Sequence, residues 1–329
     1  MARIAVLGAG AWGTALALTY APQHVVSLWS HEADHVADMA RSRRNERYLP
    51  GFELPASISL HDDLAKACAE AELALVVTPV AGLRPTLHSL ARLPACPPVL
   101  WACKGFEAST ALLPHEVADA ELPAGVPYGV LTGPSFADEV ARGLPCAITL
   151  AATDLGFATH WVQTLHHPRL RLYANDDVVG AEIGGAVKNV LAIAAGITDG
   201  LGYGHNARAA LVTRGLAEIA RLAEALGGRR ETLMGLAGMG DLILTSTGDL
   251  SRNRRVGLML AQGLALPQIL EQLGHVAEGV LTCRVVVQRA DSLGVEMPIT
   301  RAVSAVLDGK ISPRDVVEHL MMRDPKVER

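Results

Sequence analysis

The residues from Arg3 to Leu7 form a short apolar run that passes without a break into Gly8-Ala9-Gly10-Ala11-Trp12-Gly13, and a helical pattern follows from Thr14 to Tyr20. A second short strand, His24 to Trp29, comes at the distance expected of a βαβ unit. Strand, glycine turn and helix in this order constrain the chain to open on a parallel sheet. Gly8 supplies a tight turn, Gly10 lets a pyrophosphate approach the backbone, and Gly13 lets the helix pack closely on the strand. The phosphates then face the helix N-terminus. The same stretch superficially resembles a signal peptide, with one basic residue and an apolar run, but its glycine pattern argues otherwise. No uncharged apolar run in the chain reaches membrane-spanning length.

Strand and helix signals continue to alternate. A strand is expected near Ile58, a helix near Leu64 to Cys68, and strands at Leu73 to Val77, Val99 to Cys103, Tyr128 to Leu131, Cys146 to Ala151 and Leu170 to Tyr173. Such alternation predicts a mostly parallel sheet whose ligands lie at the carboxyl ends of its strands. Several of those ends carry chemistry. The third long strand gives way to a loop at Thr78-Pro79, the next ends at Lys104-Gly105, and Tyr128 to Leu131 runs into Thr132-Gly133-Pro134-Ser135. Lys104 is either a ligand-facing cation or an ordinary exposed lysine. Gly133-Pro134-Ser135 offers backbone N–H groups and a hydroxyl to an anion, unless Ser135 only caps a helix with Glu139 near its first turn. The second strand ends at Trp29-Ser30-His31 with no acid at the position that holds ribose hydroxyls in NAD-specific proteins. Arg41, Arg43 and Arg44 stand one helix later, so NADPH should be used at least as well as NADH, although Glu32 and Asp34 lie close by.

The α/β part ends near Asn175-Asp176-Asp177, giving a dinucleotide-binding domain over 1–178 and a helical substrate domain over 179–329. In the second part, helices are expected at Ala207 to Leu226, Val256 to Gln262, Leu266 to Leu273, Thr282 to Ser292, Ile299 to Leu307 and Pro313 to Met322. The first and most informative helix is AEIGGAVKNVLAIAAGITDG, Ala181 to Gly200. Ile183, Val187, Val190, Leu191 and Ala194 recur at helical spacing, and Gly184, Gly185, Lys188, Ala192 and Ala195 make a small-residue face open to close approach by a ligand. Only 5 of the 29 basic residues are lysines. A lysine in an apolar helix therefore suggests a task arginine cannot perform, such as giving up a proton when desolvated, against the plainer reading of a side chain that snorkels to the surface. Two irregular stretches interrupt the helices, Gly238 to Thr245 with Asp241, and Ser251-Arg252-Asn253-Arg254-Arg255. Arg offers a fork for phosphate, Ser and Asn offer hydrogen bonds, and Asp can orient an ammonium; the alternative for the arginines is a solvated basic surface. By composition, Val276-Ala277-Glu278-Gly279 reads as a loop.

Composition bounds the chemistry. With 329 residues, 50% of them hydrophobic, two cores are affordable, and a formal charge of -5 points away from nucleic acid and anionic membranes. An anionic substrate then needs a locally cationic pocket. Cys68, Cys96, Cys103, Cys146 and Cys283 are scattered and never paired as CxxC, which fits a reducing cytoplasm and suggests neither a disulfide framework nor a metal site.

Taken together, GAGAWG, WACKGFE, GPSFADE, GGAVKNVLAIAAGITDG, RGLAEI, GMGDL, SRNRR and GVEMPIT resemble, in order and over nearly the whole chain, the bacterial NAD(P)-dependent sn-glycerol-3-phosphate dehydrogenases. The resemblance implies reversible hydride transfer between NAD(P)H and dihydroxyacetone phosphate, supplying glycerol 3-phosphate for phospholipid synthesis, with no metal. It implies Lys188 as the proton-transferring residue. Lys104, Gly133, Ser135, Lys188, Asp241, Ser251, Arg252 and Asn253 match positions that hold glycerol 3-phosphate. Gly8, Gly10, Ala11, Trp12, Gly13, His31, Lys104, Ala137, Arg252, Val276 and Glu278 are the corresponding cofactor-contacting set. Some relatives have Ser-Tyr where this chain has Ala11-Trp12, which removes a hydroxyl from the cofactor side. A homodimer is compatible with the resemblance. Two rival readings remain at this point: a β-hydroxyacid or 6-phosphogluconate-type dehydrogenase, which shares the domain plan and a catalytic lysine, and a non-catalytic NADPH-binding regulator, which would have no need of both lysines and the Ser-Arg-Asn triplet.

Overall fold

The computed structural model describes residues 1–273 and 277–322. It divides into two compact units, one formed by Met1–Glu107 with Leu112–Glu182, the other by Ala108–Ala111 with the chain from Ile183 onward.

The first unit contains β1 (Arg3–Leu7), β2 (Val25–Trp29), β3 (Arg44–Asn45), β4 (Leu49–Glu53), β5 (Ile58–His61), β6 (Leu73–Val76), β7 (Val99–Trp101), β8 (Tyr128–Thr132), β9 (Cys146–Ala151) and β10 (Leu170–Asn175). Eight strands form one sheet in the order β10-β9-β8-β7-β6-β1-β2-β5, while β3 and β4 pair separately as an antiparallel hairpin. Within the large sheet the β8–β9 pairing is antiparallel and every other pairing is parallel. This is a Rossmann-type α/β unit. All four residues of β6 and the last four of β1 are buried, because helices cover both faces of the sheet. Leu16, Ala17 and Tyr20 of the helix Ala11–Tyr20 share a buried cluster with Ile4, Val6, Val26 and Leu28. Each fully buried leucine there contributes about 1.5–3 kcal/mol.

The chain leaves β1 on one side for β2 and returns on the other side as β6, so Leu7 lies between Trp29 and Val76. That reversal opens a crevice at the carboxyl ends of β1 and β6, where open α/β sheets bind their ligands. Two strand ends differ from expectation. β7 stops at Trp101 rather than Cys103, as the backbone turns away toward Gly105 with φ +127°. Thr78-Pro79 leads into the helix Val80–Ala91, with Pro79 at its N-cap, and not into a loop. The β3–β4 hairpin has no clear sequence signal, being short and largely exposed.

In the second unit the described elements are all helical. Val178–Gly200 begins in the first unit and continues through the second; it is followed by Gly204–Ala225, Arg230–Leu233, a π-helical turn at Leu236–Gly240, Asp241–Thr247, Arg252–Ala261, Leu266–Leu273, Glu278–Ser292, Pro298–Leu307 and Pro313–Met321. Three stretches read from sequence as irregular are therefore ordered. Gly238 to Gly240 belong to the π turn and Asp241 opens a helix; Ser251 caps the helix that starts at Arg252; Glu278 and Gly279 begin the helix Glu278–Ser292. Hydropathy missed them because glycines and charges dominate at helix starts, where capping rather than apolar periodicity sets the structure.

The small-residue face of Val178–Gly200 receives other parts of the chain. A Cβ on Gly184 would lie 2.5 Å from the Ala237 carbonyl oxygen, one on Gly196 would lie 2.0 Å from that of Arg254, and one on Gly257 would lie 2.0 Å from that of Ile193. Two helices thus cross backbone on backbone at Gly196 and Gly257. By length and composition this helix is apolar enough to cross a membrane, yet 94% of its most apolar window is buried inside the protein, as in a core helix.

Candidate active site

At the sheet's carboxyl edge, sterics require two of the three glycines of Gly8-Ala9-Gly10-Ala11-Trp12-Gly13. Gly8 has φ +120°, and a Cβ there would meet the Thr78 backbone nitrogen at 2.9 Å. A Cβ on Gly13 would lie 1.9 Å from the Gly8 carbonyl oxygen, whereas one on Gly10 would meet nothing within 4 Å. The loop is therefore tightly held on both sides and open at Gly10. Gly10 is also the N-cap of the helix Ala11–Tyr20 and places no side chain on its first amides. An open glycine at an uncapped helix start fits the pyrophosphate of a dinucleotide.

Around this loop the first unit gathers several of the proposed site residues. Trp12 Nε1 donates to the Ser135 carbonyl at 3.3 Å and to its Oγ at 3.2 Å. Lys104 Nζ donates to the Gly133 carbonyl at 3.3 Å, and Ser135 Oγ donates to the same oxygen at 3.2 Å. Gly133 has φ +142° and packs against Ile148, which explains a glycine at that turn. Ser135 does not cap a helix; Phe136 occupies the N-cap of Ala137–Ala141, where Ala137 packs with Ala11 against Ala15. Lys104, Gly133, Ser135 and Trp12 thus form one cluster, in which Gly133 is buried and the other three are half-buried.

At the end of β2, His31 is exposed and its ring lies 6.3 Å from that of Trp29. Ser30 is buried, and its hydroxyl accepts the Glu32 N–H at 3.3 Å. Arg41, Arg43 and Arg44, any one of which could have served a 2′-phosphate here, have other partners. Arg43 donates to the carbonyls of Leu54, Pro55 and Ile58, Arg41 pairs with Asp38, and Arg44 lies 3.9 Å from Glu46. The cation at this strand end is Arg47, paired with Glu32 and stacked over Tyr48, whose hydroxyl is 3.5 Å from the same carboxylate. Sequence order hid this contact, because the β3–β4 turn brings residue 47 back to residue 32.

The second unit holds the other cluster. Lys188 is only 6% exposed and pairs directly with Asp241, which is 1% exposed, so the lysine does not snorkel. Thr245 Oγ1 donates to the Asp241 carbonyl at 2.7 Å and fixes the helix turn that carries the carboxylate. Ser251 accepts the Arg254 N–H at 3.2 Å as a helix cap. Asn253 Oδ1 accepts the Gly279 N–H at 3.0 Å, and a Cβ on Gly279 would sit 2.7 Å from the Asn189 carbonyl oxygen. The helices carrying Lys188, Asn253 and Glu278 therefore meet at one point. Arg252 is exposed at the first turn of its helix, while Arg254 is held by Asp199 at 2.8 Å and Asp249 at 3.0 Å. Asp199 also binds Arg208 at 2.9 Å. The basic run is thus divided: Arg254 is structural, and Arg252 and Arg255 project outward. Val276 lies outside the described residues.

One further titratable pair adjoins the start of the long helix. Glu182 is buried, accepts from Trp101 Nε1 at 2.9 Å and from the His115 N–H at 3.0 Å, and also binds the His115 ring at 2.6 Å. Burial pushes the Glu182 carboxyl above its ordinary range. For His115, burial works to lower the value, but the hydrogen bond and charge of Glu182 outweigh it and raise it.

The family described as NAD-dependent glycerol-3-phosphate dehydrogenase N-terminus matches residues 3–158, and the corresponding C-terminus family matches residues 177–318. The chain is 63% identical over 327 residues to glycerol-3-phosphate dehydrogenase [NAD(P)+] of Aromatoleum aromaticum, covering 99% of this chain and 100% of that protein. It is 60% identical to the Dechloromonas aromatica enzyme of the same name, with 99% of each covered. The crystal structure of glycerol-3-phosphate dehydrogenase from Coxiella burnetii is 42% identical and superposes with a TM-score of 0.93, covering 98% of this chain and 99% of that one. Identity at this level over full length sets both rival readings aside. With its Rossmann-type unit, its helical unit and these full-length relatives, the chain belongs to the NAD(P)-dependent glycerol-3-phosphate dehydrogenases.

Proposed function

We propose that Lys188 transfers the proton and stabilises the developing alkoxide when dihydroxyacetone phosphate is reduced to glycerol 3-phosphate. The observation that carries this is the buried Lys188–Asp241 pair. A buried ammonium is costly, and a fixed carboxylate both offsets that cost and aims it. Bound NAD(P)H supplies the hydride. As negative charge grows on the carbonyl oxygen, a positioned cation that can also deliver a proton lowers the barrier.

The remaining residues bind and orient. Lys104, Gly133, Ser135, Asp241, Ser251, Arg252 and Asn253, which match the family's substrate positions, hold glycerol 3-phosphate. Arg252 anchors the phosphate, putting binding energy at a point remote from the reacting carbon. Gly8, Gly10, Ala11, Trp12, Gly13, His31, Lys104, Ala137, Arg252, Val276 and Glu278 serve the cofactor, for which the open Gly10 and uncapped helix start are fitting. The enzyme feeds phospholipid synthesis from the cytoplasm without inserting into membrane, and it forms a homodimer. The direct test is NADPH oxidation with dihydroxyacetone phosphate, repeated with NADH and with Lys188→Met. Turnover by Lys188→Met at more than about a tenth of wild type would remove Lys188 from the chemistry, since general acid catalysis is worth roughly 10²- to 10⁴-fold. Light scattering of the purified protein tests the dimer.

A further inference from the structure

We infer that Asn45 is a positioning residue for the cofactor loop, holding Gly8-Ala9-Gly10 in the shape that receives the pyrophosphate. Asn45 is 1% exposed and every hydrogen-bonding position on its amide is used. Nδ2 donates to the Ala9 carbonyl at 2.9 Å and to Thr14 Oγ1 at 2.7 Å. Oδ1 accepts the Tyr48 N–H at 3.2 Å and faces His35 Nε2 at 3.0 Å. The orientation is forced by its partners. A carbonyl can only accept and a backbone N–H can only donate, so Nδ2 must face Ala9 and the His35 ring must present Nε2–H to Oδ1.

This one side chain ties four segments together: the glycine loop through Ala9, the following helix through Thr14, the helix Ala33–Ser42 through His35, and the β3–β4 turn through Tyr48. Ala9 lies between the turn at Gly8 and the open position at Gly10, and rotation of its peptide plane would re-aim the Gly10 N–H. An anion-binding loop gains most when its amides are already aimed before the ligand arrives. The Ala9 carbonyl and the Gly10 N–H share one planar trans peptide, so the Asn45 hydrogen bond to the carbonyl fixes the direction of the N–H. It touches no reacting group, so its effect should fall on cofactor capture and not on the chemical step.

The inference rests on the reading that this loop holds the cofactor, and the two fail differently. NADPH binding to full-length wild type, measured by calorimetry, tests the underlying reading: absence of binding with intact fold removes both. Given binding, Asn45→Asp keeps size but loses both donors, setting a carboxylate against the Ala9 carbonyl. NADPH Kd and KM should rise at least about tenfold, while kcat at saturating NADPH and the KM for dihydroxyacetone phosphate stay within about threefold. Thr14→Val removes the second Nδ2 partner while leaving the Ala9 bond, and its Kd should stay within about threefold of wild type. Asn45→Ser, a milder change, should speed amide hydrogen exchange across residues 10–13 in the cofactor-free protein. An unchanged Kd in a folded Asn45→Asp, an equal loss in Thr14→Val, or unchanged exchange in Asn45→Ser would each overturn the assignment.

Discussion

Replacing Asp241 with Asn leaves the Lys188 ammonium in a pocket built around a carboxylate. The two side chains are 7% and 1% exposed, so solvent screens the pair little. Removing one partner of such a buried pair costs about 3–5 kcal/mol. At about 2–4 °C per kcal/mol for a unit of this size, Tm should fall by roughly 6–20 °C. Lys188→Met with Asp241→Leu removes both charges, and buried pairs replaced by apolar groups are neutral or gain about 1–4 kcal/mol, so Tm should return to wild type or above. Activity should not return, because the double variant has no cation to meet the developing alkoxide; kcat should stay depressed by roughly 10²- to 10⁴-fold. The assays are thermal unfolding by circular dichroism and NADPH oxidation with dihydroxyacetone phosphate. Stability rescued without activity is the expected signature. An Asp241→Asn protein within about 1 °C of wild type would refute the desolvation reasoning, and an active double variant would refute the role of Lys188.

Arg252→Ala should raise the KM for dihydroxyacetone phosphate at least about tenfold with a smaller effect on NADPH, since a charge-assisted hydrogen bond is worth about 1.5–3 kcal/mol; an unmoved KM would leave Arg252 as exposed surface. Arg47→Ala should lower kcat/KM for NADPH more than for NADH, because Arg47 is the cation at the end of β2 and its loss leaves Glu32 to repel a 2′-phosphate. Equal losses with both cofactors would show that Arg47 does not read the ribose. Stability should also fall with rising pH through the His115–Glu182 pair. Both groups are raised in the folded protein, so His115 contributes stability that is present below its ordinary 6.5 and lost as pH climbs through the higher folded value, and burial opposes ionisation of Glu182 in the same direction. Tm measured across this window should decline in wild type and flatten in His115→Gln/Glu182→Gln; a flat wild-type profile contradicts the assignment.

Much of the first unit was legible in the residues. Apolar strands and a strand–glycine–helix opening report local geometry, and the glycines at 8 and 13 are demanded by contacts with near neighbours in the fold. The lysine helix was equally plain, since five apolar positions at helical spacing and a single cation need no partner to be recognised. What Lys188 does with its charge was not legible. Its partner lies 53 residues away, and only folding of the π turn and the next helix brings Asp241 against it. Gly184, on the small-residue face read as open to a ligand, and Gly196 one helical turn beyond Ala192, admit backbone in the fold, because close helix crossing and ligand approach ask for the same absence of side chain.

The β2 end shows the same limit. Arg41, Arg43 and Arg44 were nearer in sequence, but a short hairpin turned Arg47 toward Glu32 and committed Arg43 to backbone carbonyls. Asn45, inside a charged run with no periodicity, carried no signal at all until its four partners from separate segments surrounded it. The sequence by itself determined most strands of the large sheet, the glycine turn that opens it and the residue types available for chemistry, because those follow from short-range periodicity and sterics. Tertiary structure alone decided which charges neutralise one another and which polar groups are consumed in holding loops, because hydrogen bonds and ion pairs are set by distance in space, and a few ångströms separate a ligand from a scaffold.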